Sequence, residues 1–502
     1  MGNTAQQIKA NSQASGSFYK TGVGAATGVS ALLEQQIAVL AEGNTDNQTE
    51  IAADGGVLSA LSSKEVAEVA GYGSPAHLAA KMLFDNLSVG VGVKFFFVPE
   101  SVSGAAHTLT LAGTGTAITK TGTLTLNLNG KLLAVGVSKD DTLAEVLAAI
   151  KSAINAEINL PGEVLTAAPT TELDYSSKWI GQSAAEVSIS VKSDTSEGLT
   201  WAVTDNADAT GEVVPTAQLA KFLTDWYPHV LNCLGNGGSN AILDEFEDFN
   251  GTPNGGNGKY APDNMTPFVA WTGTNVAVLA TLTGVTSSRL DVNTNIYFPT
   301  PNAQSLTFVN AAEALGMFVK KSNGDPKQDP DGDVMLYAIP PSDKDVGDIV
   351  TYDFRDSLVK NGCSTVNYQN ESYYVSDLLT TYKPNGESDP VFKFVRDNMI
   401  IFNLLHQFKQ FNLKQKNKTI APNALPSIYI TSPALYKAGV LNEIIRPFVE
   451  LGYLADFDFA KDNLDVGIDP TNAGRFNVLS PNLITSLLRI VAVEVPVNKY
   501  NG

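Results

Sequence analysis

Cysteine is almost missing: Cys233 and Cys363 are the only thiols in 502 residues. They stand far apart and outside any C-x-x-C spacing, so neither a disulfide framework nor a zinc cluster can be built, and a reducing compartment fits. Histidine is scarce too, with His77, His107, His229 and His406 each in a different segment. No apolar run approaches the ~20 residues that cross a bilayer. The first thirty residues hold no secretory apolar region either, so neither export nor membrane anchoring is expected. Basic charge is short: 33 Lys and Arg face 52 Asp and Glu, a net charge of -19. Such a chain repels DNA and anionic membranes, and nucleic acid is an improbable partner.

The chemical motifs are equally sparse. No Gly-x-Ser-x-Gly elbow occurs. His229 lies near Asp225 in a strand-like run, where a structural histidine is the better reading than a catalytic base. Asp329, Asp331 and Asp333 alternate as in calcium loops, but the glycine is misplaced and Pro340 holds the twelfth position, which leaves a solvated turn. Gly22-x-Gly24-x-x-x-Gly28 misses the dinucleotide fingerprint and follows no strand. No glycine loop ends in Gly-Lys-Ser/Thr. We therefore expect no catalytic, cofactor or metal residues.

What is abundant is apolar material, 43% of residues against 17% charged, together with 42 glycines. That composition predicts a globular, turn-rich protein of mixed α and β structure, and the length calls for several folding units. Residues 1–28 are small and polar and read as an arm. Residues 29–98 hold an apolar segment around Ile37, helices beginning at Ser63 and Pro75, and a buried strand at Val93–Val98. Residues 99–205 read as a β-rich insert. There Asn129-Gly130 marks a hairpin turn, and Thr142-x-x-Glu145 is a capping box ahead of the stripe Leu143, Val146, Leu147, Ile150 and Ile154.

Residues 206–383 alternate strand-like runs (230–234, 268–271, 276–279) with helical ones, as an open α/β unit does. Residues 384–487 hold a long helix from Ser388, with Val391, Phe394, Val395, Phe402 and Leu405 set against Lys393, Arg396, Asn403 and Gln407. A strand at 427–431 and a helix at 433–451 follow. Residues 488–502 form a last apolar strand, a hazard if left as a free edge. The basic run Lys409, Lys414, Lys416 and Lys418 stands out in an acidic chain. It reads either as a helix end meeting its dipole or as a docking surface for an anionic partner.

Leu379-Thr-Thr-Tyr382 ahead of a long helix, with Arg355-Asp-Ser-Leu358 and Asn361-Gly-Cys-Ser-Thr-Val366 upstream, is similar to the C-terminal region of the contractile phage tail sheath family. Asp469-Pro470, Asn472 and Arg475-Phe476 resemble its late turn, with two extra residues before the arginine. Gly71-Tyr-Gly-Ser74 and Met82 resemble its Gly-x-Gly-Ser helix entry. The usual Pro-Gly-Val-Tyr opening is missing, and Ser17-Phe-Tyr-Lys20 stands in its place.

The resemblance implies a multidomain fold: a β-sandwich insert, a subtilisin-like α/β domain without catalytic residues, and a C-terminal α/β domain with exchanged terminal arms. It implies a structural subunit, not an enzyme, that polymerises helically in stacked hexameric rings around a tail tube. Tube, baseplate and tail terminator proteins would be its partners. It would reside in the virion tail, and in the host cytoplasm during assembly. Phe18, Tyr19 and Val23 in one arm and Ile490, Val491, Val493 and Val495 in the other would pair with neighbouring subunits, because each end needs a partner to bury or to satisfy it. Lys409, Lys414, Lys416 and Lys418 would face the tube. Other readings are a tail-tube or surface-layer subunit, which the same composition would suit, and a subtilisin-like hydrolase, which a serine-directed probe would reveal.

Overall fold

The computed structural model describes residues 32–88, 90–206, 208–235, 241–253, 255–341, 351–384, 390–421 and 429–486. The chain divides into two compact units, Leu33–Asn403 and a smaller one assigned Met1–Leu32 and Leu404–Gly502. The expected arm residues Phe18, Tyr19, Val23, Ile490, Val491, Val493 and Val495 lie outside the described residues.

The larger unit begins with β1 (Ile37–Ala41), α1 (Gln48–Ala53), β2 (Val57–Ala60), α2 (Ser63–Ala70), α3 (Pro75–Asn86) and β3 (Val93–Phe97). The insert follows as β4 (Ala106–Thr114), β5 (Gly122–Leu128), β6 (Lys131–Val137), α4 (Leu143–Ala156), β7 (Gly162–Val164), β8 (Glu172–Ile180), β9 (Ile189–Asp194) and β10 (Thr200–Asp205). Next come α5 (Thr216–Ala220), β11 (His229–Asn232), α6 (Ala241–Asn250), β12 (Val269–Thr274), α7 (Leu279–Thr286), β13 (Asn295–Pro299) and α8 (Thr307–Ser322). Then α9 (Tyr352–Lys360) leads to the hairpin β14 (Val366–Gln369) and β15 (Ser372–Val375).

One sheet has the order β13-β12-β11-β1-β3-β2, parallel throughout except for β2 at its edge. β1, β11, β12 and β13 are buried at every position, as parallel strands covered on both faces must be. Alternate residues separate the two faces. Ala38, Leu40, Phe96, Val230 and Ala270 pack with Leu219, Phe222, Leu243 and Phe246 from the α5–α6 region. On the other face, the His229 and Trp271 rings contact Phe318 of α8.

The insert forms two sheets, β10-β4-β8-β7 and β6-β5-β9, which share one core with α4. Asn129 and Gly130 both take positive φ, 48° and 87°, the backbone a two-residue hairpin needs. The Thr142–Glu145 capping box forms, and the stripe behind it is buried. Both linkers to the insert are joined by a bridge between Ala105 and Thr210.

The smaller unit contains most of α10 (Val395–Gln415), within which the division between units falls, then β16 (Thr419–Ile420), β17 (Ile430–Thr431) and α11 (Pro433–Val440). It ends with α12 (Arg446–Glu450), α13 (Phe457–Asn463), β18 (Asp465–Ile468) and β19 (Phe476–Leu479). Phe411, Tyr436 and Phe476 make successive edge-to-face ring contacts within it.

The helix expected from Ser63 begins there as α2, capped by Ser62, whose Oγ accepts from Glu65 N. Three local expectations are corrected. The run Val276–Leu279 is no strand. Thr274 Oγ1 accepts from Val276 N just after β12 ends, and Val276, Ala277 and Leu279 pack beside Leu282, Tyr297 and Phe354 instead of pairing, while Val278 is exposed.

The long helix starts at Val395, after turns at 391–393, and its supposed polar face is not solvated. Lys393, Arg396, Asn403 and Gln407 are buried, while Val391 is 56% exposed. Asn403 explains part of this inversion, because its Oδ1 accepts from Leu33 N and its Nδ2 donates to Met399 O. The helix expected at 433–451 is broken into α11 and α12 by a π turn at Leu441–Ile445. Pro447 is the physical reason: it lacks the N–H that an α-helix would use there, and its ring crowds the Glu443 carbonyl.

Candidate functional site

In an open parallel sheet, ligands bind beyond the carboxyl ends of two neighbouring strands whose connections leave in opposite directions. Here those strands are β1, which leads to β3 and β2, and β11, which leads to β12 and β13. Glu42 follows β1; Cys233, Leu234 and Gly235 follow β11.

Among the described residues, the insert packs into this crevice. Trp179 of β8 donates from Nε1 to Ser183 Oγ at 2.9 Å, and Ser183 donates onward to Glu42 Oε2 at 2.8 Å. All three side chains are buried. Two glycines make the close approach possible. A Cβ at Gly181 would lie 2.7 Å from Glu42 Oε1, and one at Gly235 would lie 3.4 Å from Ser183 Cα. Burial pushes the Glu42 carboxyl up to about 8, against the opposing Ser183 hydrogen bond.

Beside it, Glu186 accepts from Thr307 N at 2.8 Å and Thr307 Oγ1 at 2.6 Å, and so caps the start of α8, where helical N–H groups lack partners. The Glu186 carboxyl is also raised by burial. Burial, with Glu186 and Glu42 nearby, raises the Cys233 thiol well above its usual range. A Glu42 carboxyl that holds its proton and an un-ionised Cys233 thiol are poor nucleophiles.

His229 is sealed as well. Its Nε2 meets Gln35 Oε1 at 2.7 Å, and its Nδ1 accepts from Trp271 Nε1 at 3.3 Å, so these partners assign the proton to Nε2. Burial lowers its pKa to about 3, and the ring is neutral at physiological pH. Asp225 does not orient it: that carboxylate accepts from Tyr227 Oη and pairs with Lys94 at 3.7 Å. His77 locks the Gly71–Ser74 turn, its Nδ1 accepting from Gly73 N at 3.0 Å. Burial, then Lys81 and Lys178, lower its pKa to about 4.

In the Asp329–Asp333 loop the carboxylates of Asp329 and Asp333 are engaged by protein groups. Asp331 N donates to Asp329 Oδ1, and Asp333 pairs with Lys321 at 2.7 Å. Among the described residues no group of three or more His, Cys, Asp or Glu could hold a metal ion, and no helix is long and apolar enough to cross a membrane.

The segments that carried the family resemblance are framework. Ser364 N and Thr381 N donate to Tyr297 O and Asn295 O, which covers the outer edge of β13. Ser364 Oγ donates to Leu379 O and accepts from Leu379 N, stitching the two segments together. Gly362, at φ +69°, allows the close passage, since a Cβ there would lie 2.8 Å from Thr381 O. In the β18–β19 turn, Asp469 Oδ1 accepts from Thr471 N, Thr471 Oγ1 and Asn472 N. The Thr471 hydrogen bonds lead in holding that carboxyl at about 2.

The lysine run does not form one uniform surface. Lys409 is half-buried, with its pKa lowered by desolvation. Lys414 pairs with Glu443 at 3.1 Å, and Lys416 is exposed beyond the helix end, next to Asn417 at φ 69°. Sequence reasoning missed Glu42, Trp179, Ser183 and Glu186. The one local signal was a glutamate closing the apolar run Ile37–Ala41.

No known family model matches the sequence, and no curated protein does. Solved structures similar to this chain are sheath proteins of contractile tails and injection systems. A sheath tail protein from Desulfitobacterium hafniense is 11% identical, with a TM-score of 0.47 over 94% of this chain and all of that one. One from Listeria innocua is 12% identical, with a TM-score of 0.46 over 92% of this chain and 94% of that one. The sheath of an extracellular contractile injection system in its contracted state is 10% identical, with a TM-score of 0.48 over 97% of this chain and 98% of that one.

Proposed function

We propose that this protein is the sheath subunit of a contractile tail, which polymerises helically around a tube and contracts to drive it through a host envelope. The observation that carries the reading is the filled crevice. Where this sheet class offers a ligand site, the chain's own insert places Ser183, itself held by Trp179, on Glu42, so that the described residues there form a packed framework. The sequence segments similar to sheath proteins support it, because they close the sheet edge at β13 and form the β18–β19 turn.

On this reading the insert is a β-sandwich module, residues 206–383 belong to a subtilisin-like domain without catalysis, and the two terminal arms pair with neighbouring subunits. The partners are further copies in stacked hexameric rings, a tail tube, and baseplate and terminator proteins, in the virion tail after assembly in the host cytoplasm. Lys409, Lys414, Lys416 and Lys418 face the tube; unchanged assembly on tubes at low salt by Lys414→Glu with Lys416→Glu would reject that placement. Negative-stain microscopy of the purified protein tests the whole reading. Hollow striated tubes are expected, and a chain that stays dispersed under all assembly conditions overturns it.

A further inference from the structure

The strand β6 ends the sheet β6-β5-β9, where it pairs with β5 alone. The hairpin register sets which of its groups face outward. A two-residue turn at Asn129-Gly130 makes Leu128 and Lys131 the first hydrogen-bonded pair, so Lys131, Leu133, Val135 and Val137 bond to β5. The backbone groups of Leu132, Ala134 and Gly136 therefore point away from the sheet. Among the described residues no group pairs with them. Their side chains share the outer face, where all three residues are exposed, Leu132 by 58%. Free edges are normally blunted by shortness, charge, proline or a bulge. Thus β7 has three residues and carries Glu163, and β9 carries Lys192 and Asp194. By contrast, β6 has seven residues, an unbroken register with β5, and neither charge nor proline after Lys131.

We propose that β6 is a docking edge for the β6 of a second copy, the two strands pairing antiparallel about a two-fold axis at Ala134. In that register the strand is complementary to itself. Ala134 stands opposite its own counterpart, and Leu132 stands opposite Gly136, where a Cβ would meet nothing within 4 Å. The large side chain thus faces the vacant position, and outward N–H groups meet outward carbonyls. Lys131 falls opposite Val137, so no like charges confront each other between the strands. The edge is held ready for pairing, because Asn129 Nδ2 donates to Glu186 O at 2.7 Å and Asn129 Oδ1 accepts from Ser188 N at 2.9 Å. Such a contact is isologous: it joins two inserts through one continuous sheet and closes at two copies. It is independent of the sheath reading.

Sedimentation velocity of the full chain at concentrations up to about 0.5 mM, after any tubes are pelleted, tests the pairing. A dimer is expected, weak because one strand pair buries less than a standard interface. It should tighten between about 50 mM and about 500 mM salt, since salt screens the net charge of -19 that opposes contact between copies. Ala134→Pro removes an outward N–H and leaves the bonds to β5 in place. Ala134→Lys sets two like charges face to face on the axis. Each should weaken the dimer about tenfold or more, whereas Ala134→Val should keep it. Circular dichroism of each variant reports folding. A chain that stays monomeric throughout, or a dimer that both Ala134→Pro and Ala134→Lys leave unchanged, overturns the inference. The sheath reading stands in either case, since tubes in the microscope test it separately.

Discussion

Glu42 carries a carboxyl group whose environment favours its protonated form, and that has a direction in pH. The folded value is about 8 against an ordinary 4.5, so the folded protein holds this proton more tightly than the unfolded chain. The resulting stabilisation is complete below the ordinary carboxyl value and is lost as pH rises from there through about 8. Glu42→Gln keeps an acceptor for Ser183 and has no proton to lose. It should raise stability at alkaline pH by roughly 3–5 kcal/mol and leave acidic pH nearly unchanged. Urea midpoints of both proteins at acidic and alkaline pH check this; parallel pH profiles would reject it. At Gly362, φ is +69° and a Cβ would press on the Thr381 carbonyl at 2.8 Å. Gly362→Ala should therefore cost about 1–3 kcal/mol in the same assay.

Elements whose signals are local were readable in the chain. The α4 helix is specified by Thr142, Glu145 and a 3.6-residue apolar stripe, and every one of those features forms. Thr142→Ala removes the acceptor for Glu145 N and should lower stability by about 1 kcal/mol, seen as a lower melting temperature; no shift would mean that α4 is held by packing alone. The β5–β6 hairpin was equally legible, because Asn129-Gly130 tolerates positive φ. Elements failed where apolar or polar periodicity answered to a tertiary neighbour. Val276 and Leu279 are apolar because they pack beside Leu282 and Tyr297, and Asn403 is polar because a distant backbone N–H, that of Leu33, meets it. Pattern reading assigns polar residues to water and cannot see such partners.

At the scale of the whole molecule, the proposed terminal arms carry the sharpest test of strand exchange between subunits. Residues 1–28 have too few apolar side chains to form a domain, while 488–502 has too many to remain a bare strand. Deleting residues 1–23, or 488–502, should leave a folded, soluble protein that no longer forms tubes in the microscope. Tubes from either deletion would refute strand exchange. By itself the sequence determined the mixed α and β composition and the main helix and hairpin signals, since those follow from residue identity and spacing along the chain. It did not disclose that β1, β3 and β11 are neighbours across the intervening insert, or that Trp179 and Ser183 reach back to Glu42. Those pairings are decided only when sheets and helices bury their apolar faces together, because hydrogen bonds across 141 residues leave no periodic trace in the chain.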